Sequence, residues 1–489
     1  MSTTAPARIE PHVWRISLVV VVGAIMSILD TTIVNVALDS LSKDLHSSLS
    51  DIQWVATGYM LALAAVIPTS GWAADRIGAR RLWITSVVLF TLGSALCGLA
   101  WSTGSLIAFR VLQGFGGGMI MPIGQIVLAR AAGPQRMGRV MSVIGVPMVL
   151  APVFGPTIGG LLLEHLGWRW IFYVNLPIGI VGVVMALRLL PKVEPRQVAS
   201  FDWRGFALLV TGVPLLVYGL AEVGQKGGID HALAVDPMVT GGILIALFVV
   251  HALRAATPLL NVRLYLNRAF SAASLTTFTM GAALFGSMII MPLYFQIVRG
   301  EDAVHTGLLL IPQGIGAAIA MPLAGRVADG VGGGRVAIPG LVVTLLATLP
   351  FSLIGAETSY WLIGAAMIAR GFGIGMTMMP AMSAAYAALS PADIADATPQ
   401  LTVLQRVGGS IGTAILTVVL QTGITHGSAG VARADVPAAI ASAFSSTYWW
   451  VFAVTAVALL PALLLARAES KARGRAGAQS EAAPELAAV

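Results

Sequence analysis

The chain has 489 residues, of which 57% are hydrophobic and only 10% charged, with a mean hydropathy of +0.86. Soluble proteins carry about 25% charged residues, so this composition excludes a soluble domain and fixes the class as an all-α polytopic membrane protein. The surplus of Lys and Arg, net +7, then concerns orientation in the bilayer and not nucleic acid. A single cysteine, Cys97, excludes an intrachain disulfide and reads as a buried packing residue. None of the four lysines follows a glycine, so there is no Gly-Lys-Ser/Thr phosphate loop and the chain is not itself an ATPase. The seven histidines are scattered and form no His-x-x-x-His pair, so neither a zinc site nor any other cofactor is expected. No enzyme activity is expected.

Residues 1–15 carry two arginines, and residues 1–14 read as a short cytoplasmic segment. Fourteen runs of spanning length follow, near 15–37, 52–74, 82–101, 104–129, 138–163, 169–190, 205–224, 236–254, 269–297, 304–326, 336–355, 359–388, 399–424 and 446–466. The first leads on from the N-terminus without a small-residue cleavage site, so it is expected to be retained. Basic residues concentrate in segments that are cytoplasmic if both termini are inside, which supports the count. One loop dissents. Residues 389–398 should be cytoplasmic, yet they carry Asp393 and Asp396 and no base.

Asp30 is the acid deepest in spans one to six. It shares a helix face with Gly23, Ser27 and Ala37. A carboxylate in a spanning helix must face protein or a polar cavity, which makes it a candidate functional group. After span two comes Gly71-Trp72-Ala73-Ala74-Asp75-Arg76-Ile77-Gly78-Ala79-Arg80-Arg81, read as a tight loop whose acid can face a helix N-terminus. Span four carries Arg110 beside Gln113, and a buried arginine needs acceptors. Span five reads GVPMVLAPVFGPTIGG from Gly145 to Gly160. Ala151, Gly155 and Gly159 recur every fourth residue for close helix approach, while Pro152 and Pro156 favour a bend.

The chain also repeats. Gly325–Arg335 matches Gly71–Arg81 at five of eleven positions, placing Asp329 opposite Asp75, and Gly371–Met376 matches Gly114–Met119. Loops that match on one membrane side imply parallel repeats. The expected organisation is therefore a six-helix bundle over 15–190, a linker with two inserted helices over 191–268, a second six-helix bundle over 269–466, and a disordered cytoplasmic tail over 467–489.

With these residues in view the chain resembles the major facilitator superfamily, and within it the fourteen-helix drug:proton antiporters of the EmrB/QacA type. The resemblance rests on Leu29-Asp30-Thr31-Thr32-Ile33-Val34-Asn35-Val36-Ala37-Leu38, Gly71–Arg81, Arg110-Val111-Leu112-Gln113-Gly114-Phe115-Gly116, Gly145–Gly160 and Trp168-Arg169-Trp170-Ile171-Phe172-Tyr173-Val174-Asn175-Leu176-Pro177. It covers nearly the whole chain. Two departures stand out: Asp39 replaces the usual proline, and the second loop lacks a partner for Arg76. The resemblance implies the major facilitator fold, with Asp30 and Arg110 coupling protons. It implies a cytoplasmic gate at Asp75, Arg76, Arg80, Arg81 and Asp329, and an inter-bundle bend at Gly145, Pro152, Gly155, Pro156 and Gly159. Met26, Gln113, Met148 and Met376 are expected to line a substrate pocket, since methionine adapts to varied apolar ligands.

The activity so implied is proton-driven export of lipophilic, often cationic, drugs across a bacterial cytoplasmic membrane by alternating access. Its partners are a small-molecule substrate, protons and the lipid bilayer. Export of an endogenous metabolite, antibiotic or lipid is the alternative. A non-transporting receptor, which would bind without proton-dependent flux, stands outside that class.

Overall fold

The computed structural model describes residues 9–133, 136–192, 200–226, 228, 232–428 and 436–471. The end of the tail beyond Lys471, part of the linker at 193–199 and residues 1–8 lie outside the described residues. Fourteen helices of fifteen residues or more dominate it: α1 (Pro11–Asp44), α2 (Leu49–Val66), α3 (Ala79–Gly98), α4 (Thr103–Ala132), α5 (Met137–Leu166), α6 (Asn175–Leu189) and α7 (Trp203–Lys226). The others are α8 (Ala232–Arg254), α9 (Arg268–Leu293), α10 (Ala303–Val331), α11 (Gly333–Thr348), α12 (Tyr360–Ala387), α13 (Ile394–Ser428) and α14 (Val436–Val457).

Twelve helical stretches among the described residues are long and apolar enough to cross a membrane. The two pieces of α5, Met137–Pro152 and Phe154–Leu166, meet at 44° and make a thirteenth if counted together. The bend falls where span five was expected to bend, and its cause is local: Pro156 has no N–H to offer the carbonyl of Pro152.

The helix starts follow from short polar side chains. Ser48 caps α2 by accepting from Asp51 N, Asn267 caps α9, and Ser102 and Ser105 form a reciprocal box at α4. Helices also run past the expected spans. α1 continues to Asp44, and Asp39, where the related motif has proline, pairs with Lys43 one turn on at 2.6 Å in solvent. The segment Gly71–Arg81 is not a loop. It continues as the helix Ser70–Ala73 and the wider-wound turn Ala74–Gly78, then reverses at one residue, Gly78, with φ of 91°. Its repeat reverses likewise at Gly332, φ 105°. A side chain at either φ is strained, so a single glycine does what the composition had suggested a whole loop would do.

Association of helices in lipid comes from close packing, not from water exclusion. α1 packs on α4, α5 and α6, and α4 packs on α2 and α3. In the second half α9 packs on α13, and α12 on both α10 and α11. The halves meet chiefly where α5 lies along α10 and α12. α7 and α8 form a pair between them, with α7 touching α2 on one side and α13 on the other. Asp202, just ahead of α7, anchors this pair: it accepts from Gly205 N (2.9 Å) and Leu259 N (3.0 Å) and bonds His251 Nε2 (2.9 Å). Burial pushes its carboxyl up, but these bonds outweigh burial and hold it below the usual range.

The small residues of α5 do not all serve one contact. Gly155 and Gly159 lie against Thr32 and Ile33 of α1, inside the first half, whereas Gly145 lies against Met321 and Met379 of the second half. Of the residues expected at the inter-bundle bend, Gly145 faces the other half, while Gly155 and Gly159 face α1. Four-residue spacing dictates close approach without saying which helix approaches.

Candidate functional site

Asp30 lies in the middle of α1 and is fully buried, as are Gln113 and Asn175, while Arg110 is 1% exposed. A buried carboxylate must have its charge met. Arg110 Nη1 donates to Asp30 Oδ2 at 2.7 Å, Gln113 Nε2 donates to Oδ1 at 2.8 Å, and Asn175 Nδ2 donates to Oδ1 at 2.9 Å. The donors come from α4 and α6, so one acid of α1 ties three helices together. Arg110 is itself satisfied: Nη1 also donates to Gln113 Oε1 (2.9 Å) and Nε to the Val55 carbonyl of α2 (3.1 Å). The Tyr59 ring of α2 lies under the guanidinium, 4.0 Å from its Cζ, adding cation–π attraction.

Two further residues complete the shell. Asn175 Nδ2 also donates to Ser94 Oγ of α3 at 3.1 Å, and the Cys97 thiol lies 3.6 Å from Gln113 Oε1. Cys97, expected as a mere packing residue, therefore borders the polar cluster. Asn175 Oδ1 is buried without a donor among the described residues, leaving one open acceptor beside Asp30. With Asp30 ionised the cluster is neutral overall, and protonating Asp30 would leave Arg110 unbalanced in a dry interior. That is the chemistry the arrangement permits.

Asp30, Arg110 and Gln113 are thus brought together. Gln113, expected to line a pocket, is instead a buried partner of the acid. Met26 is 1% exposed in a core that runs through both halves, Met148 is partly buried against the same core, and Met376 packs beside Gly340 of α11. The sulfurs of Met321 and Met379, from the second half, lie against Gly145 of α5. Asn175, Tyr59 and Ser94 went unassigned in the sequence. An asparagine opening an apolar helix was the one available signal.

A second cluster lies where the matching Asp75 and Asp329 segments meet helix ends. Arg130 of α4 holds Asp75 at 2.6 Å. Asp329 bonds Arg139 Nε at 2.8 Å and accepts from Gly138 N at 2.7 Å, so it faces the N-terminus of α5 across the halves. The repeat of Asp75 thus makes the kind of contact with a helix N-terminus that was expected of Asp75 itself. Arg80 reaches the Leu187 carbonyl of α6, while Arg76 and Arg81 are exposed. In the same face, an apolar crevice of about 1000 Å³ opens between α1, α5 and α10, with Trp14, Leu18 and Phe154 on its walls and Arg139 and Arg326 at one end.

Known proteins agree with this architecture. The chain is 42% identical over 424 residues to the "Multidrug resistance protein B homolog" of Mycobacterium tuberculosis, covering 86% of this chain and 78% of that one. It is 32% identical over 470 residues to the "Putative multidrug resistance protein MdtD" of Klebsiella pneumoniae, covering 95% and 96%. The fold superposes on the proton:xylose symporter XylE with a TM-score of 0.63 at 14% identity, covering 93% of this chain and 95% of that one. The profile of the Major Facilitator Superfamily matches residues 20–413. By fold and by sequence, this multi-pass membrane protein belongs to the Major Facilitator Superfamily, a family of transporters rather than enzymes.

Proposed function

We propose that the protein exports lipophilic compounds across the bacterial cytoplasmic membrane by alternating access, driven by protons that bind at Asp30. The carrying observation is the buried Asp30 itself, bonded by Arg110, Gln113 and Asn175 and, among the described residues, ion-paired with Arg110. Taking up a proton there converts a neutral cluster into one with a net positive charge. In a low-dielectric interior that change is large enough to favour a different packing of α1, α4 and α6. Each proton entering down the membrane potential supplies about 2.3 kcal/mol per 100 mV. Relatives named for multidrug resistance support drugs as the cargo.

On this reading the stretch Asp51–Gly98, 48 residues with its reversal at Gly78, counts as two crossings. At about 1.5 Å per residue it would otherwise be more than twice the bilayer's apolar thickness. With bent α5 the total is fourteen: bundles over 15–190 and 269–466, α7 and α8 inserted, and both termini cytoplasmic. Asp75, Arg130, Asp329 and Arg139 then hold the cytoplasmic side closed.

The test is flux. Purified protein in liposomes should move a lipophilic dye when a pH gradient is imposed and fail to when it is collapsed. Flux indifferent to the gradient sinks the proton reading, and saturable binding without flux would favour a receptor. The apolar crevice, with arginines at one end, supports a second reading in which the cargo is an endogenous amphiphile or lipid. Flux of a labelled phospholipid under the same gradient, without flux of any dye, would select it.

A further inference from the structure

The repeated segments Gly71–Arg81 and Gly325–Arg335 make matching contacts across the halves, with one exchange of charge. Gly325 lies against the Gly138 carbonyl of α5, so closely that a Cβ would collide with it. Four residues on, Asp329 meets the residue after Gly138, which is Arg139, at 2.8 Å. Gly71 lies in the same way against the Ala395 carbonyl of α13. Four residues on is Asp75, and the residue after Ala395 is Asp396. The register is the same, yet the acid of one contact pairs with a base, while the acid of the other has a second carboxylate, Asp396, within electrostatic reach. This acid is also one of the two that broke the basic pattern of loop 389–398.

Among the described residues no base pairs with Asp396. The carboxylates acting on it are those of Asp75, across the seam, and Asp393, on its own helix approach. Asp393 is engaged by the Ser390 hydroxyl at 2.7 Å, and Arg130, the nearby cation of α4, is engaged by Asp75. Arg76 of the Ala74–Gly78 turn is exposed, and from α12 the neighbouring titratable group is the buried phenol of Tyr386. Asp396 makes no ion pair among the described residues and is partly shielded from water. It precedes the apolar run 399–424, on the flank that faces the cytoplasm in the topology proposed above.

We propose that Asp396 is a second proton-binding carboxylate, distinct from Asp30, whose proton keeps the contact between α13 and the Asp75 turn closed. Two carboxylates sharing a site repel when both are ionised, and a proton on either removes the repulsion. With Asp396 protonated, Gly71 and Ala395 stay in contact. With it ionised, the charge of Asp75 drives α13 away while the Asp329–Arg139 contact holds, so the seam opens on one side. A transporter that brings protons inward would thereby close against an acidified cytoplasm and open toward an alkaline one.

The test reads conformation without cargo, so it stands apart from the export reading. Spin labels are placed at Lys192→Cys and Ala392→Cys, both exposed, in a Cys97→Ser background, and distances are measured from about pH 5 to about pH 8. The long-distance population should rise about ten-fold across that range in the otherwise native chain. It should stay low at every pH in Asp396→Asn, and in Asp396→Lys, which rebuilds the acid–base pair of the other contact. Asp30→Asn should keep the response. A native distance distribution indifferent to pH, or a response that survives Asp396→Asn in monodisperse protein, overturns the proposal. So does a response abolished by Asp30→Asn alone, which would place the controlling proton at Asp30. Export that fails while the distance response persists would condemn the export reading and leave this one standing.

Discussion

Arg110 and Arg370 are buried near the repeated Gly-Phe-Gly motif on related helices, Arg110 four residues before it and Arg370 directly before it, and their surroundings differ in one decisive respect. Arg110 has a carboxylate, an amide oxygen, a backbone carbonyl and an aromatic face. Arg370, 2% exposed, has the Ser287 hydroxyl at 2.5 Å, a buried Nε without an acceptor, and no carboxylate among the described residues. The two halves thus repeat a fold and each buries an arginine in its Gly-Phe-Gly helix, but among the described residues only the first half pairs that arginine with a carboxylate. The difference sets a first-half arginine neutralised by a carboxylate against a second-half arginine that has none among the described residues, which is why the proposed export mechanism puts its proton at Asp30.

That contrast can be broken most forcefully at Arg110. Arg110→Leu strands Asp30 as a buried, unbalanced charge, and the stability loss should be about 3–5 kcal/mol. The double variant Asp30→Asn/Arg110→Leu should recover much of it, as thermal unfolding of the purified protein would show. A single variant as stable as the native chain would mean that Asp30 is not held by Arg110. At the seam, Asp329→Ala removes a bond from Arg139 and one from Gly138 N. Hydrogen bonds to charged groups contribute about 1.5–3 kcal/mol, so a smaller but clear loss is expected, together with faster labelling of cysteines placed between α5 and α10.

Asn175→Leu sharpens the comparison within the first half. It deprives Asp30 of one neutral donor of three, at a cost of about 1 kcal/mol, and transport should slow without disappearing. Complete loss of transport would promote Asn175 to a member of the proton path. The smallest effect is expected in the second half. Arg370→Met replaces a guanidinium lacking a carboxylate by an apolar chain, so stability should change by less than about 1 kcal/mol or rise. A loss as large as that at Arg110 would reveal a counter-charge near Ser287 and end the contrast between the halves.

Much of this was readable in the sequence for a physical reason. A charge in an apolar helix has few tolerable environments, so Asp30 and Arg110 could be singled out from their own helices alone. Pro152 and Pro156 announced the bend of α5 because a missing N–H acts locally. What stayed hidden depends on which helix comes alongside. Asn175 satisfies Asp30 only because α6 packs on α1, and nothing in its neighbouring residues says so. Gly155 and Gly159 signalled close approach, but the helix approaching is α1 and not the other half. Gly71–Arg81 looked like a loop because glycine, aspartate and arginine favour loops. The chain instead keeps helical turns through Arg76 and spends one glycine, Gly78, on the reversal. Asp396 was visible only as an exception to a charge rule, and its place against Asp75 needed the fold.

The central claim is that the transported proton binds at Asp30. Asp30→Asn preserves shape and most hydrogen bonding while removing titration. The direct measurement is proton uptake and release by purified protein in weak buffer on addition of a transported dye, native chain against Asp30→Asn. The account predicts dye-induced proton release from the native protein and none from the variant, which should still bind dye. Proton release from Asp30→Asn equal to that of the native chain would contradict it.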